Sequence, residues 1–228
     1  ERLLATCQPQ SDEEAVSDQN GTPRIYETQK VPLVSEDGAL TGFIGFSRDM
    51  TETRRLQKRL ERMAHEDQLT GLPNRRRTKR ILEEEINRSH RSGQPLSLLA
   101  LDLDHFKWVN DQHGHDVGDQ VLVQMGITLS ERLRSTDTLG RWGGEEFFVI
   151  LPETGAEGAR QVAETLRQTS ASCVLIGETP ITVSIGVTEY KLTESLRTFL
   201  QRADSILYEA KYSGRNQVSM ISSQAALR

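Results

Sequence analysis

Cysteine is almost absent from this chain: Cys7 and Cys173 stand far apart in its 228 residues. That placement offers neither a disulfide framework nor a metal-ligand spacing, so a reducing, cytoplasmic setting is expected. Cys173 itself lies in the apolar run Cys173-Val174-Leu175-Ile176 and reads as a core residue. Long apolar runs are missing too. None approaches the roughly 18 to 20 residues that a bilayer crossing requires, and the opening stretch Glu1 to Thr6 is too short for a secretory signal. Membrane contact within the chain is therefore not expected, while an anchor upstream of Glu1 stays open. Nor is there an excess of positive charge. A formal net charge of −5 weighs against general nucleic-acid binding, which needs a basic surface. Five acids against one arginine in the first twenty residues mark a solvated segment. What is present, 228 residues of which 36% are hydrophobic and 27% charged, suits one good core and a second, smaller element.

Three regions separate by pattern. Residues 1 to 23 are polar and turn-rich and read as loop. Two strand-like runs follow, Ile25 to Val34 and Leu40 to Ser47, joined by the turn signal Ser35-Glu36-Asp37-Gly38. A lone hairpin is marginal in water, so this piece needs more protein to cover it. The period then changes. Thr53, Leu56, Leu60, Met63 and Asp67 alternate steps of three and four, with Arg54, Arg55, Lys58, Arg59 and Arg62 around the seam. This predicts an amphipathic connector helix over 52–66, able to pair with a copy of itself or to pack on its own domain. About two heptads are too few to decide between the two.

Residues 67–222 alternate helical and strand-like segments, with 223–228 a tail. Helices are expected at about Arg75 to Arg91, Ala156 to Thr169 and Ser195 to Tyr212, and a helical stretch carries Val117, Val121, Leu122, Met125, Leu129 and Leu133 on one face. Strands are expected at Leu96 to Leu101, Leu139 to Trp142, Glu146 to Leu151, Cys173 to Ile176, Ile181 to Thr188 and Val218 to Ile221. Hairpins inside an alternating order imply an α/β (α+β) fold with a mixed, mainly antiparallel sheet flanked by helices.

The chemistry-bearing residues cluster at strand ends. Asp102 and Asp104 share one face at the end of a buried strand, and hard carboxylate oxygens suit Mg²⁺. Alone the pattern is weak, since two acids after a strand are more often ordinary loop residues. Gly143-Gly144-Glu145-Glu146 adds an acidic hairpin tip whose glycines allow close approach of a ligand. Facing carboxylates repel unless a cation lies between them. Lys211 and Arg215, four apart near a helix end, would by themselves be a solvated helix terminus.

Taken together, Arg141-Trp142-Gly143-Gly144-Glu145-Glu146-Phe147 resembles the signature of the GGDEF family of diguanylate cyclases, in its Glu-for-Asp variant. Asp67-Gln68-Leu69-Thr70-Gly71-Leu72-Pro73-Asn74 is similar to that family's opening motif, and Leu101-Asp102-Leu103-Asp104-His105-Phe106-Lys107 through Asp119 to its central one. Val183 to Val187, Ala203-Asp204 through Lys211, and Gly214-Arg215-Asn216 match its closing segments. The resemblance implies a palm-like nucleotidyl-cyclase fold and condensation of two GTP into cyclic di-GMP with release of pyrophosphate. It implies Asp102, Glu145 and the Leu103 carbonyl as ligands of Mg²⁺, with Mn²⁺ a substitute. Asn110 and Asp119 would read guanine, with Phe106, Lys107, Gly143 and Gly144 lining the nucleotide site. Lys211 and Arg215 would clamp the triphosphate. Because one domain supplies half of a two-GTP site, a homodimer is implied.

Arg134-Ser135-Thr136-Asp137 resembles the family's RxxD inhibitory site for cyclic di-GMP, for which Arg160 and Arg167 are candidate third arginines. Residues 1–51 resemble the C-terminal part of a PAS sensory domain, with the exit Asp49-Met50-Thr51-Glu52. The competing reading is a catalytically silent domain that binds GTP or cyclic di-GMP for regulation. If the connector pairs in parallel through Leu56, Leu60 and Met63, charged residues at Leu56 and Leu60 are expected to lower the mass measured in solution from dimer to monomer.

Overall fold

The structure, a computed structural model, describes residues 8–176 and 179–220. Cys7, Ile221 and the tail therefore lie outside the described residues. The chain divides into two compact units, Glu1–Arg62 and Met63–Arg228.

The first unit is an antiparallel meander of β1 (Gln10–Ser17), β2 (Pro23–Val34) and β3 (Leu40–Asp49), in that order across the sheet. The expected turn closes through Ser35 N–H to the Ala39 carbonyl and Gly38 N–H to the Ser35 carbonyl, with Gly38 at φ 83°. Strand β1 corrects the sequence reading, which left these residues as loop. Its side chains are nearly all exposed, so no apolar alternation marks it. Pairing with β2, in the register Glu14↔Tyr26, extends it. Val31 and Ile44 are cross-strand partners, and with Leu33 and Phe46 they leave an exposed apolar face.

Helix α1 (Thr51–His65) begins where Asp49 accepts the Thr51 N–H at 2.9 Å. The Thr51 hydroxyl accepts the Ile25 N–H at 2.9 Å, tying the helix start to β2. Leu56, Leu60 and Met63 are all more than half exposed.

The second unit is built on a five-stranded sheet in the order β10-β9-β4-β6-β5, comprising β4 (Leu96–Leu103), β5 (Thr138–Gly143), β6 (Glu146–Pro152), β9 (Val183–Glu189) and β10 (Val218–Met220). Only β10 runs parallel to its neighbour. The other pairings are antiparallel, as the hairpins implied. A small ribbon of β7 (Val174–Ile176) and β8 (Thr179–Pro180) stands apart from it.

Central strand β4 is buried along its whole length. Leu99, Leu101 and Leu103 pack on one face against Val121, Met125, Leu129 and Ala163. These come from α4 (His115–Ser130) and α5 (Ala156–Ser172). Leu96, Leu98 and Ala100 pack on the other against Leu82, Phe199, Ala203 and Leu207, from α2 (Arg75–Ser92) and α6 (Leu196–Tyr212). Helices on both faces explain why this strand reads as an unbroken apolar run.

Asn74 caps α2 by accepting the Arg77 N–H at 3.0 Å, and Gly93 at φ 69° ends it. The expected helical stretch is α4, which ends before Leu133, and an unexpected helix α3 (Phe106–His113) precedes it across Gly114 with φ 84°. Cys173 is half-buried rather than core, with its Sγ 3.8 Å from the Thr128 hydroxyl. Among the described residues, no helix is long and apolar enough to cross a membrane.

Sheet and helix backbones come close at Gly186, where an added Cβ would lie 2.5 Å from the Leu207 nitrogen and 3.0 Å from the Ala203 carbonyl. Backbone cannot yield as a side-chain tip can. Gly186→Ala is expected to destabilise the domain by about 2 kcal/mol, read as a lower denaturant midpoint at unchanged slope.

Candidate active site

Strand β4 delivers Asp102 to the site as a residue only 5% exposed. Its cross-strand partners are Glu146 on β6 and Ser184 on β9. Lys211, in the last turn of α6, places Nζ 2.7 Å from Asp102 Oδ2. Burial nevertheless pushes the Asp102 carboxyl up to about 6; Lys211 opposes the rise, while Glu145 and Glu146 add to it. Glu146 is raised likewise, by burial against the pull of Lys211 and with repulsion from Asp204 and Glu145. Asp204 is raised by burial, offset in part by Arg75. The guanidinium of Arg75 lies 4.8 Å from the centre of the Trp142 ring, which stacks on Phe148 at 4.2 Å. One ammonium thus faces more negative charge than it neutralises.

The acidic tip is brought to the strand end as expected. Leu103 N–H donates to the Glu145 carbonyl at 3.3 Å. Gly144 adopts φ 51°, and a Cβ at Gly143 or Gly144 would meet nothing within 4 Å, so the turn is open to a ligand. The tip is secured by a side chain that sequence reasoning passed over. Arg141 donates from Nε to the Gly144 carbonyl at 2.9 Å and from Nη1 to Asp67 Oδ1 at 2.9 Å. Asp67 also accepts the N–H and hydroxyl of Thr70. Burial alone would raise its pKa, but the Arg141 and Thr70 hydrogen bonds outweigh that and hold it below the usual carboxylate range. Both residues stand in the quoted motifs; their pairing across 74 positions carries no local signal.

The proposed nucleotide residues divide. Asn110 packs on Gly118, the residue before Asp119, at the α3–α4 elbow, because Gly118 lacks the Cβ that would strike the Asn110 side-chain oxygen and approach Phe106 at 3.2 Å. Asp119 and Lys107 are exposed. The Phe106 side chain is core, beside Leu103 and Val109, so only its main chain is available to a ligand. The N–H groups of Phe106, Lys107 and Trp108 precede the first intrahelical donor of α3, the Val109 N–H that bonds the His105 carbonyl. Arg215 is exposed, in a left-handed turn with φ 62°.

Among the described residues no three His, Cys, Asp or Glu side chains gather closely enough to hold a metal by themselves. Two carboxylates, Asp102 and Glu145, with the Leu103 carbonyl fit a hard divalent cation whose remaining ligands are water or phosphate oxygens. The under-compensated charge at Asp102 supports that fit.

Arg134 and Asp137 close a turn on each other: Arg134 N–H donates to Asp137 Oδ2 at 2.9 Å and Asp137 N–H to the Arg134 carbonyl at 3.0 Å. Arg134 is exposed. Of the two candidate third arginines, Arg160 is paired with Glu157 at 2.7 Å and Arg167 with Glu164 at 2.7 Å.

Residues 64–217 match the family model described as diguanylate cyclase, GGDEF domain. The chain belongs to this family. Residues 1–55 match the PAS fold. Diguanylate cyclase DgcM of Escherichia coli K12 is 43% identical over 170 residues, covering 75% of this chain and 42% of the relative. Diguanylate cyclase DgcP of Pseudomonas aeruginosa is 45% identical over 68% of this chain and 23% of its own length. The chain thus spans less than half the length of these curated relatives. Among solved structures, the coiled coil and GGDEF domain of DgcB from Caulobacter crescentus, in complex with c-di-GMP, superposes with TM-score 0.69 at 34% identity over 75% of this chain and 94% of that one. The active GGEEF domain of a diguanylate cyclase from Vibrio cholerae gives 0.63 at 34% identity over 66% and 98%.

For this GGDEF domain, the raised Asp102 has a defined sign in stability. The folded chain holds a proton there at pH values where the unfolded chain has lost it, so the contribution is complete below 3.8 and is lost as pH rises through about 6. Asp102→Asn is therefore expected to gain on the wild type as pH rises from 4 to 7, by at most about 3 kcal/mol. Melting temperatures recorded in chelator over that range check it, and a constant gap between the two proteins would contradict it.

Proposed function

We propose that this chain is the catalytic part of a diguanylate cyclase, joining two GTP molecules into cyclic di-GMP and releasing two pyrophosphates. The observation that carries the reading is the buried, under-compensated carboxylate Asp102 beside Glu145 at an open two-glycine turn, with Lys211 at hydrogen-bonding distance. A divalent cation, Mg²⁺ with Mn²⁺ as substitute, would be held by Asp102, Glu145 and the Leu103 carbonyl. When bound, it would neutralise charge on the α-phosphate and polarise it toward attack.

The residues of the chain then have separate tasks. An ammonium has three donors, so Lys211 can keep Asp102 and still reach a triphosphate. Arg215 and Lys107 add positive charge, and the free N–H groups at the start of α3 suit phosphate oxygens. Asn110 and Asp119 match guanine: a carboxylate accepts from N1–H and N2–H₂, and an amide both donates and accepts. Glu145 assists removal of the proton from the 3′-hydroxyl. The 3′-oxygen of one GTP attacks the α-phosphate of the other in line with the departing pyrophosphate. The protein's part is chiefly positioning and charge stabilisation.

Since each domain binds one GTP, two copies must face each other. The exposed Leu56, Leu60 and Met63 of α1 support a parallel pairing that brings them together. Product inhibition is assigned to Arg134, whose planar guanidinium suits a phosphate or the Hoogsteen edge of guanine. Asp137 shapes the turn that presents it.

The test incubates the protein with GTP and Mg²⁺ and resolves the nucleotides by chromatography. Wild type should yield cyclic di-GMP, Glu145→Gln should lose at least about a hundredfold in rate, and Arg134→Ala should keep its rate as product accumulates. Tight cyclic di-GMP binding without turnover, persisting after a phosphodiesterase strips bound product, would favour the silent regulatory module instead.

A further inference from the structure

Asp104 stands one residue beyond β4 and is buried like Asp102, yet it is compensated in a different way. Its carboxylate accepts from the Thr182 hydroxyl at 2.7 Å, the Ser184 hydroxyl at 2.6 Å and the main-chain N–H of Asn216 at 2.9 Å. Three donors on one carboxyl group occupy most of its acceptor capacity and leave little for a cation to take up. The third donor comes from 112 positions further along the chain.

That donor lies in an unusual turn. Gly214, Arg215 and Asn216 follow one another at φ 117°, 62° and 44°. Glycine takes this region freely and asparagine tolerates it, but an arginine there is strained. Such strain persists only where the surroundings over-determine it, and it concentrates at functional sites. Arg215 N–H donates to the Ala210 carbonyl at 3.1 Å, which also accepts Gln217 Nε2 at 2.7 Å. The Gln217 carbonyl accepts the Ile185 N–H at 3.0 Å. From α5, Arg167 donates to the Asn216 side-chain oxygen at 2.7 Å while Glu164 holds the rest of its guanidinium. Asp104 and Arg167 thus grip Asn216 by its main chain and by its side chain.

We propose that Asp104 is a positioning residue for Arg215. By holding the Asn216 N–H it fixes the left-handed turn that presents the Arg215 guanidinium to nucleotide phosphates, and Arg167 fixes the same turn from α5. This rests on Arg215 being a phosphate ligand, as proposed above. Arg167 then belongs to the support of the substrate site, and the third arginine of the inhibitory site is not this residue.

The experiment measures the dissociation constant of a GTP analogue with a methylene between its α- and β-phosphorus atoms, which binds without reacting. It compares wild type, Asp104→Asn, Arg167→Ala, Arg215→Ala and the two double variants with Arg215→Ala. Asp104→Asn should weaken binding about tenfold and Arg167→Ala about threefold, yet each should add less than about twofold once Arg215 is alanine. A purely structural role would give additive losses. Amide exchange at Asn216 should quicken in Asp104→Asn, and in turnover the loss should appear in KM rather than kcat.

If Asp104→Asn does not melt cooperatively, a semisynthetic chain with an ester in place of the Arg215–Asn216 amide removes only that N–H, and the same cycle is run with it. Analogue binding by the wild type with additive losses, or an Asn216 amide as protected in Asp104→Asn as in wild type, would overturn the positioning role alone. No analogue binding by the wild type would sink the phosphate reading and this proposal with it.

Discussion

Two buried carboxylates at the end of one buried strand set the terms for the whole second unit. Strand β4 can run through the middle of the sheet because both its faces are covered by helices, and charge at its end must be compensated inside that cover. Asp104 is satisfied by uncharged donors from three places in the chain. Asp102 has one ammonium and two acidic neighbours, and burial, with a smaller part from Glu145 and Glu146, holds its proton more tightly against the pull of Lys211. The first arrangement makes a rigid joint. The second makes a site with residual negative potential, which is what cation-assisted phosphate chemistry requires.

The site's other half is a turn, and its stiffness comes from charge as well. Gly143 and Gly144 give access but no rigidity. Arg141 restores it by binding the Gly144 carbonyl and the Asp67 carboxylate together. Asp67 stands two residues past the end of α1, and its own loop is closed by Thr70 and by the Leu72 carbonyl accepting the Asp67 N–H. The residues that open the domain and those that form its acidic tip are therefore one hydrogen-bonded assembly, although 74 positions separate Asp67 from Arg141.

Much of this was legible before any coordinates. The apolar run Leu96 to Leu101 followed by acids, the hairpin glycines, and the changes of period located most elements to within a few residues. The misses have physical causes. Strand β1 was invisible because a strand whose side chains face solvent carries no alternation; backbone pairing alone defines it. Helix α3 carried no clear period because its eight residues turn only Phe106 and Val109 inward. Cys173 looked like core from its apolar neighbours, but burial depends on what packs over a run.

The amino-acid sequence by itself determined the class of fold, the order of the motifs and the kinds of atom at the site: hard oxygens, two flexible glycines, and cations in the closing segment. These are properties of residue type and short spacing, and they survive in one dimension. Only the tertiary structure decided which charge answers which. It gave Lys211 to Asp102, Arg141 to Asp67 and Arg167 to Asn216, and it set the Phe106 side chain in the core. Electrostatic compensation depends on distance and burial through space, so partners far apart along the chain become partners only when the sheet and its helices are assembled.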